Sequence, residues 1–191
     1  MKFKNAANVI TLLGLMLSLE SCFLVLGGNL RLSIIFLIAS GICDLFDGVV
    51  AGKIDRTDRE KEFGIQLDTT VDVVSFGVTP VIILYAAAST ESIALVVYIF
   101  YIMCTVIRLA RFNTTTNVNI RVMYYRGLPV TYIALILPLA MLINSAIFSV
   151  VTLLCVGVLY ILDVRVPKPR GIWYAIFPAL AIILSLLWWF L

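Results

Sequence analysis

Asp44, Asp47, Asp68 and Asp72 stand at the ends of two strongly apolar segments, spaced Asp44-x-x-Asp47-Gly48-x-x-Ala51 and then Gly64-x-x-x-Asp68-x-x-x-Asp72. An aspartate at bilayer depth costs about 2.5 to 3.5 kcal/mol on insertion scales, so four ask for roughly 10 kcal/mol or more of compensation. Something cationic is therefore expected beside them. Carboxylate oxygens are hard ligands, and a set of four without sulfur or imidazole suits Mg²⁺ or Mn²⁺, ions that often share their coordination with substrate phosphates. Metal-dependent chemistry on a phosphate is the first expectation.

If both segments are helical, positions 44 and 47 (i, i+3) share one face, as do 68 and 72 (i, i+4), so adjacent helices can present four carboxylates to one cleft. Like charges this close cannot all stay ionised alone, and two divalent ions would neutralise the set. Gly48 and Gly64 carry no Cβ, which lets a bulky ligand approach the backbone.

The composition demands such helices. Of 191 residues 62% are hydrophobic and 13% charged, with a mean hydropathy of +1.10, which excludes an ordinary soluble domain. The chain reads as all-α, a polytopic transmembrane bundle of about seven spans and a single domain over 1–191, with no internal repeat. Spans are expected at about residues 8–26, 30–51, 66–88, 92–110, 128–144, 146–163 and 172–191. Gly27-Gly28-Asn29 and Ser89-Thr90-Glu91 read as tight connections, and Lys53 to Phe63 and Asn113 to Arg126 as longer polar loops. The first apolar stretch has no small-x-small cleavage pattern and is expected to remain as a helix.

Histidine is absent, which removes imidazole as base or ligand and leaves carboxylate, lysine or tyrosine for that work. Cys22, Cys43, Cys104 and Cys155 lie singly in apolar segments and read as buried packing residues. With a cytoplasmic N-terminus, alternation of the spans puts every lysine and arginine except Arg31 on the cytoplasmic face, as the positive-inside rule asks, and the four aspartates with them. Trp173, Tyr174, Trp188 and Trp189 read as interfacial anchors. Glu20 needs a polar partner inside the bilayer, with Arg31, Ser18 or Ser40 available. The net charge of +3 is too modest to suggest a nucleic-acid partner.

The two motifs resemble the signature of the CDP-alcohol phosphotransferases: Asp-x-x-Asp-Gly-x-x-Ala-Arg, a loop, then Gly-x-x-x-Asp-x-x-x-Asp. Glu62 to Asp68, Asp72 to Pro80, Arg108 to Asn113, Gly127-Leu128-Pro129 and Asp163 to Pro167 are similar to the branch of that family that uses L-serine. The resemblance runs from about Ile10 to Lys168 and implies transfer of a phosphatidyl group from CDP-diacylglycerol to the serine hydroxyl with release of CMP. It also implies six core helices, here with one more at the C-terminus, in a homodimer in the cell membrane. Asp44, Asp47 and Asp68 would be metal ligands, while Asp72 would touch the second metal and act as catalytic base. The nucleotide would lie beside Asp44, Gly48, Ala51, Gly64 and Asp68. Arg108 and Arg111, at the cytoplasmic end of the fourth span, are read as binding a phosphate or the serine carboxylate, and Arg126 is the next candidate for that role. Arg165, Lys168 and Arg170 are read as topological.

Three positions depart from the pattern. Gly52 stands where the resemblance implies an arginine on a donor phosphate, in a longer loop than the shortest family form, and Lys53 or Arg56 could reach that phosphate instead. Thr79 stands where alanine usually precedes the proline, and Thr131 where a second proline often follows Gly-Leu-Pro. The competing readings are another acceptor, glycerol phosphate or an inositol phosphate, and a divalent-cation transporter. A phosphorylated acceptor asks for an extra basic cluster near the site, and transport asks for carboxylates near the bilayer midplane.

Overall fold

A computed structural model of the chain describes residues 5–88, 90–115, 124–163, 165–167 and 173–191. Side chains are described for these except at 115, 124–126, 165–167, 173 and 174, so the side chains of Arg126, Arg165, Trp173 and Tyr174, and all of Lys168 and Arg170, lie outside the described residues.

The described chain is an all-helical bundle with one short two-stranded ribbon. Helix α1 covers Ala6–Leu26 and α2 Leu30–Ala51. Helix α3 runs Asp58–Ala87 and contains a π-helical stretch at Val73–Val78. Helix α4 covers Ser92–Thr115. A single 3₁₀ turn, Val130–Tyr132, leads into α5 at Ile133–Met141, followed by α6 at Ala146–Ile161 and α7 at Trp173–Phe190. Strands β1 (Tyr124–Arg126) and β2 (Arg165–Pro167) pair antiparallel, Tyr125 opposite Val166. Among the described residues α1 to α4 are long and apolar enough to cross a membrane; three further apolar helices are shorter.

The polarity of the bundle is inverted relative to a soluble protein. Phe23 on α1, Ile93 and Val96 on α4, and Ile182 and Phe190 on α7 point outward and exposed, while Ser18, Ser21, Ser33, Ser75 and Thr105 are buried. The buried hydroxyls bond between helices: Ser21 Oγ donates to the Ser33 carbonyl at 2.7 Å, and Ser75 Oγ to Ser18 Oγ at 2.9 Å. With hydrocarbon outside, close backbone approach and such bonds hold the helices together. Helix α2 sits at the centre, its Ile34, Leu37 and Ile38 buried with Phe76, Ile83, Tyr101, Ile133 and Leu137.

Several expectations are corrected. The charged run from Lys53 to Phe63 is only half a loop, because α3 starts at Asp58 rather than residue 66. Thr57 caps it: Glu60 N donates to Thr57 Oγ1 at 3.4 Å while Thr57 N donates to Glu60 Oε2 at 3.0 Å. This capping box, with Asp58 and Glu60 in the first turn, favours a helix that hydropathy alone does not reveal. Helix α4 continues to Thr115, taking part of the second expected loop. Trp188 is not an interfacial anchor: it is buried, its Nε1 donating to the Pro138 carbonyl at 3.2 Å. That carbonyl lacks its usual donor because Leu142 N turns to Leu139 O as α5 tightens at its end. Trp189 does face outward. Cys155 is exposed, not buried. Glu20 points outward and makes no ion pair among the described residues; Ser18, one expected partner, donates to Leu15 O.

Candidate active site

The end of α2 and the middle of α3 bring the four aspartates to one cavity of about 280 Å³, also lined by Gly48, Arg108, Phe112, Thr131, Tyr132 and Phe177. One oxygen from each of Asp44, Asp68 and Asp72 can be chosen so that all three lie within 4.8 Å of one another. Oxygens so close, with no sulfur or imidazole, are a donor set suited to a hard divalent cation. Asp72 is 7% exposed and its Oδ1 is buried with no hydrogen-bond partner among the described residues. A buried carboxylate oxygen left without a donor is costly, and a cation relieves that cost. The residues present therefore fit a divalent metal.

Asp47 belongs to the cavity but not to that trio. It is 6% exposed and its Oδ2 accepts from Thr11 Oγ1 of α1 at 2.5 Å. Asp44 is likewise oriented, Oδ2 accepting from Thr131 Oγ1 at 2.6 Å. Thr11 was not singled out by its sequence, and Thr131 only as a departure from a proline. In the fold each threonine fixes a carboxylate rotamer, the way outer hydrogen bonds hold metal ligands in place. No local pattern announces them, because Thr131 meets its aspartate across 87 residues of chain.

Helix packing sets these distances. A Cβ on Gly41 would stand 2.7 Å from the Ala134 Cβ, so α2 and α5 approach as closely as they do only because position 41 is glycine. Asp44 follows Gly41 on the same face and Thr131 lies just before α5, so the same approach brings hydroxyl to carboxylate. On the other side, the π-helical stretch begins directly after Asp72. Its Phe76 carbonyl accepts from the Tyr101 hydroxyl at 2.6 Å, and Tyr160 OH lies 3.2 Å from Tyr101 OH while donating to the Val130 carbonyl at 3.1 Å. Two buried tyrosines thus tie α3, α4, α6 and the turn before α5 together beneath the carboxylates.

The other candidates separate. Arg108 is 6% exposed, lines the cavity and lies 5.3 Å over the Phe112 ring. Arg111, one turn on, is exposed and donates through Nη1 to the Ile161 carbonyl at 3.0 Å, tying α4 to the end of α6 outside the cavity. Lys53 is exposed and Ala51 half-buried, neither lining the cavity. A Cβ at Gly48 would have nothing within 4 Å, so this glycine opens on the cavity. Gly64 is instead covered: the Arg56 guanidinium and Asn8 lie where its side chain would be. Tyr132 and Phe177, with ring centroids 6.0 Å apart, form an aromatic wall that the sequence does not announce.

Known proteins resemble this chain along most of its length. The CDP-alcohol phosphatidyltransferase family matches residues 4–164. A CDP-diacylglycerol–serine O-phosphatidyltransferase of Methanocaldococcus jannaschii is 34% identical over 178 residues, 92% of this chain and 81% of that protein. The archaetidylserine synthase of Methanothermobacter thermautotrophicus is 31% identical over 154 residues, 79% of this chain and 64% of that protein. A CDP-diacylglycerol–serine O-phosphatidyltransferase of Helicobacter pylori is 29% identical over 174 residues, 84% of this chain and 71% of that protein.

Proposed function

The chain belongs to the CDP-alcohol phosphatidyltransferase family, and from that premise we propose that it transfers a phosphatidyl group from CDP-diacylglycerol to the hydroxyl of L-serine, releasing CMP and forming phosphatidylserine. The observation that carries this reading is the convergence of Asp44, Asp68 and Asp72 within 4.8 Å in a cavity that also holds a buried arginine. The relatives support serine as acceptor, since those compared above are named for serine while one names a different lipid. Among the described residues that line the cavity, Arg108 is the basic one, a single cation that suits the carboxylate of serine.

In this reading Asp44, Asp47, Asp68 and Asp72 hold two divalent ions, Mg²⁺ or Mn²⁺. When bound, the ions offset charge on the pyrophosphate and orient it. Asp72 takes the proton from the serine hydroxyl as its oxygen bonds to the phosphatidyl phosphorus, and the bond from that phosphorus to the bridging oxygen of CMP breaks. A positioned base of this kind contributes about 10² to 10⁴-fold. Arg108, held over Phe112, faces a substrate phosphate or the serine carboxylate, and Gly48 leaves room for the nucleotide. Thr11 and Thr131 keep Asp47 and Asp44 in their rotamers. The N-terminus and the site face the cytoplasm, the chain acts as one domain in a homodimer, and the acyl chains lie in the bilayer.

The test is direct. Purified protein supplied with CDP-diacylglycerol, Mn²⁺ or Mg²⁺, and a panel of serine, glycerol phosphate and inositol phosphate is expected to release CMP with serine and only in the presence of metal. Release with a phosphorylated alcohol instead would reassign the acceptor, and metal-independent background throughout would overturn the reading.

A further inference from the structure

Gly52 stands where the family's signature carries arginine, yet nothing in the structure requires glycine there. It caps α2 at φ −73° and ψ −13°, an ordinary right-handed conformation open to any residue. A Cβ would lie 3.6 Å from the Gly48 and Val49 carbonyl oxygens, in ordinary contact, and the position is exposed. A cation lost from this position therefore reflects no backbone demand, and another residue can take over its role.

Arg56 has the geometry to do so. It lies on the connection between α2 and α3, half-buried, and folds back across α3: its Nη1 is 3.1 Å from where a Cβ of Gly64 would be, and Asn8 Oδ1 of α1 is 3.5 Å from the same point. Its Nε is buried with no acceptor among the described residues. Leaving a buried charged donor unanswered is costly, and a guanidinium offers a planar fork of donors matched to phosphate oxygens. Gly64 precedes Asp68 by one helical turn on the same face, about 6 Å along the axis. The guanidinium thus lies about one helical turn from Asp68, on the same face of α3. Lys53, exposed on the same connection, has no such placement.

We propose that Arg56 is the cation that contacts the phosphate of the nucleotide donor on the Gly64 side of the carboxylate cluster, supplying from the connection what the end of α2 lacks at Gly52. The inference rests on the reading under Proposed function. It makes Arg56 a substrate-binding residue and gives the longer connection a purpose, since it lets the chain turn back before α3 begins.

The experiment uses the full chain in detergent micelles and measures the KM for CDP-diacylglycerol, the KM for serine, and the direct binding of CMP. Arg56→Gln is expected to raise the donor KM and weaken CMP binding about tenfold or more, the loss of one charge-assisted contact, with the serine KM unchanged. Arg56→Lys is expected to recover part of this, and Gly52→Arg placed on Arg56→Gln to recover most, because position 52 accepts a side chain. Unchanged CMP affinity and donor KM in Arg56→Gln would overturn the proposal. So would a loss confined to kcat that Gly52→Arg does not rescue, or a donor KM that responds to Lys53→Gln and not to Arg56→Gln. CMP binding decides for Arg56 whichever alcohol is the acceptor, whereas failure of the wild-type chain to release CMP with serine counts against the functional reading alone.

Discussion

Asp44, Asp47 and Asp72 are the same side chain prepared in different ways. Asp44 and Asp47 each accept a threonine hydroxyl, while Asp72 Oδ1 is buried without a donor among the described residues and so keeps a lone pair for a metal or a proton. Asp72→Asn retains the shape and removes the basicity, so CMP binding is expected to persist while CMP release falls about 10² to 10⁴-fold; a variant keeping most of its rate would show that the base lies elsewhere. Thr131→Val keeps the volume and removes the donor to Asp44. Loss of such a supporting bond typically lowers metal affinity about 10 to 100-fold, so the Mn²⁺ concentration giving half-maximal activity should rise by that order, and an unmoved metal dependence would reduce Thr131 to packing. Gly48→Ala adds a methyl group that meets nothing within 4 Å. Its melting temperature should therefore hold while the donor KM rises, and a donor KM equal to wild type would place the nucleotide away from Gly48.

At the scale of elements, the close approach of α2 to α5 at Gly41 and Ala134 decides whether Asp44 and Thr131 meet. Gly41→Ala overpacks that contact, a cost of about 1 to 3 kcal/mol, and should lower both the melting temperature and the rate of CMP release. Adding Ala134→Gly removes the opposing methyl group and should restore both, a coupling that a double-mutant cycle reads directly; strict additivity would mean the helices do not touch there. The same contact marks how far the sequence could be read. The seven apolar segments were legible because polar connections break the apolar runs, although three of the helices are shorter than a full span, and each aspartate pair was legible because i, i+3 and i, i+4 spacings are local. The partners Thr11, Thr131, Phe177 and Ala134 were not, since each meets its neighbour through packing of sequence-distant helices. The early start of α3 is different in kind: Thr57-x-x-Glu60 is a local capping signal, hidden inside a charged run that resembles a loop. Trp188 was misread because a terminal tryptophan looks interfacial until a helix end leaves the Pro138 carbonyl in need of a donor.

For the whole molecule, the inverted polarity and the acidic cavity act together. Hydrocarbon-facing side chains contribute no hydrophobic drive between helices, so cohesion rests on close packing, interhelical hydroxyl bonds and whatever bridges α2 to α3 at the aspartates. Among the described residues that line the cavity, four carboxylates face the guanidinium of Arg108 and leave the lining net negative, and like charges facing one another across two helices push those helices apart. A divalent ion bound there should therefore stabilise the entire bundle by mass action, about 2.7 kcal/mol at a concentration 100 times its Kd. Thermal unfolding in detergent should show a higher melting temperature with Mn²⁺ or Mg²⁺ and a lower one after chelation. The far-UV helical signal should survive chelation below the transition, because the buried core of Ile34, Leu37 and Ile83 packs without an ion, while CMP release should stop. A variant carrying Asp44→Asn and Asp68→Asn should lose the metal-dependent shift and, relieved of two facing charges, melt no lower than the chelated wild type. A wild-type melting temperature indifferent to saturating metal would break the link between the acidic cluster and the cohesion of α2 with α3.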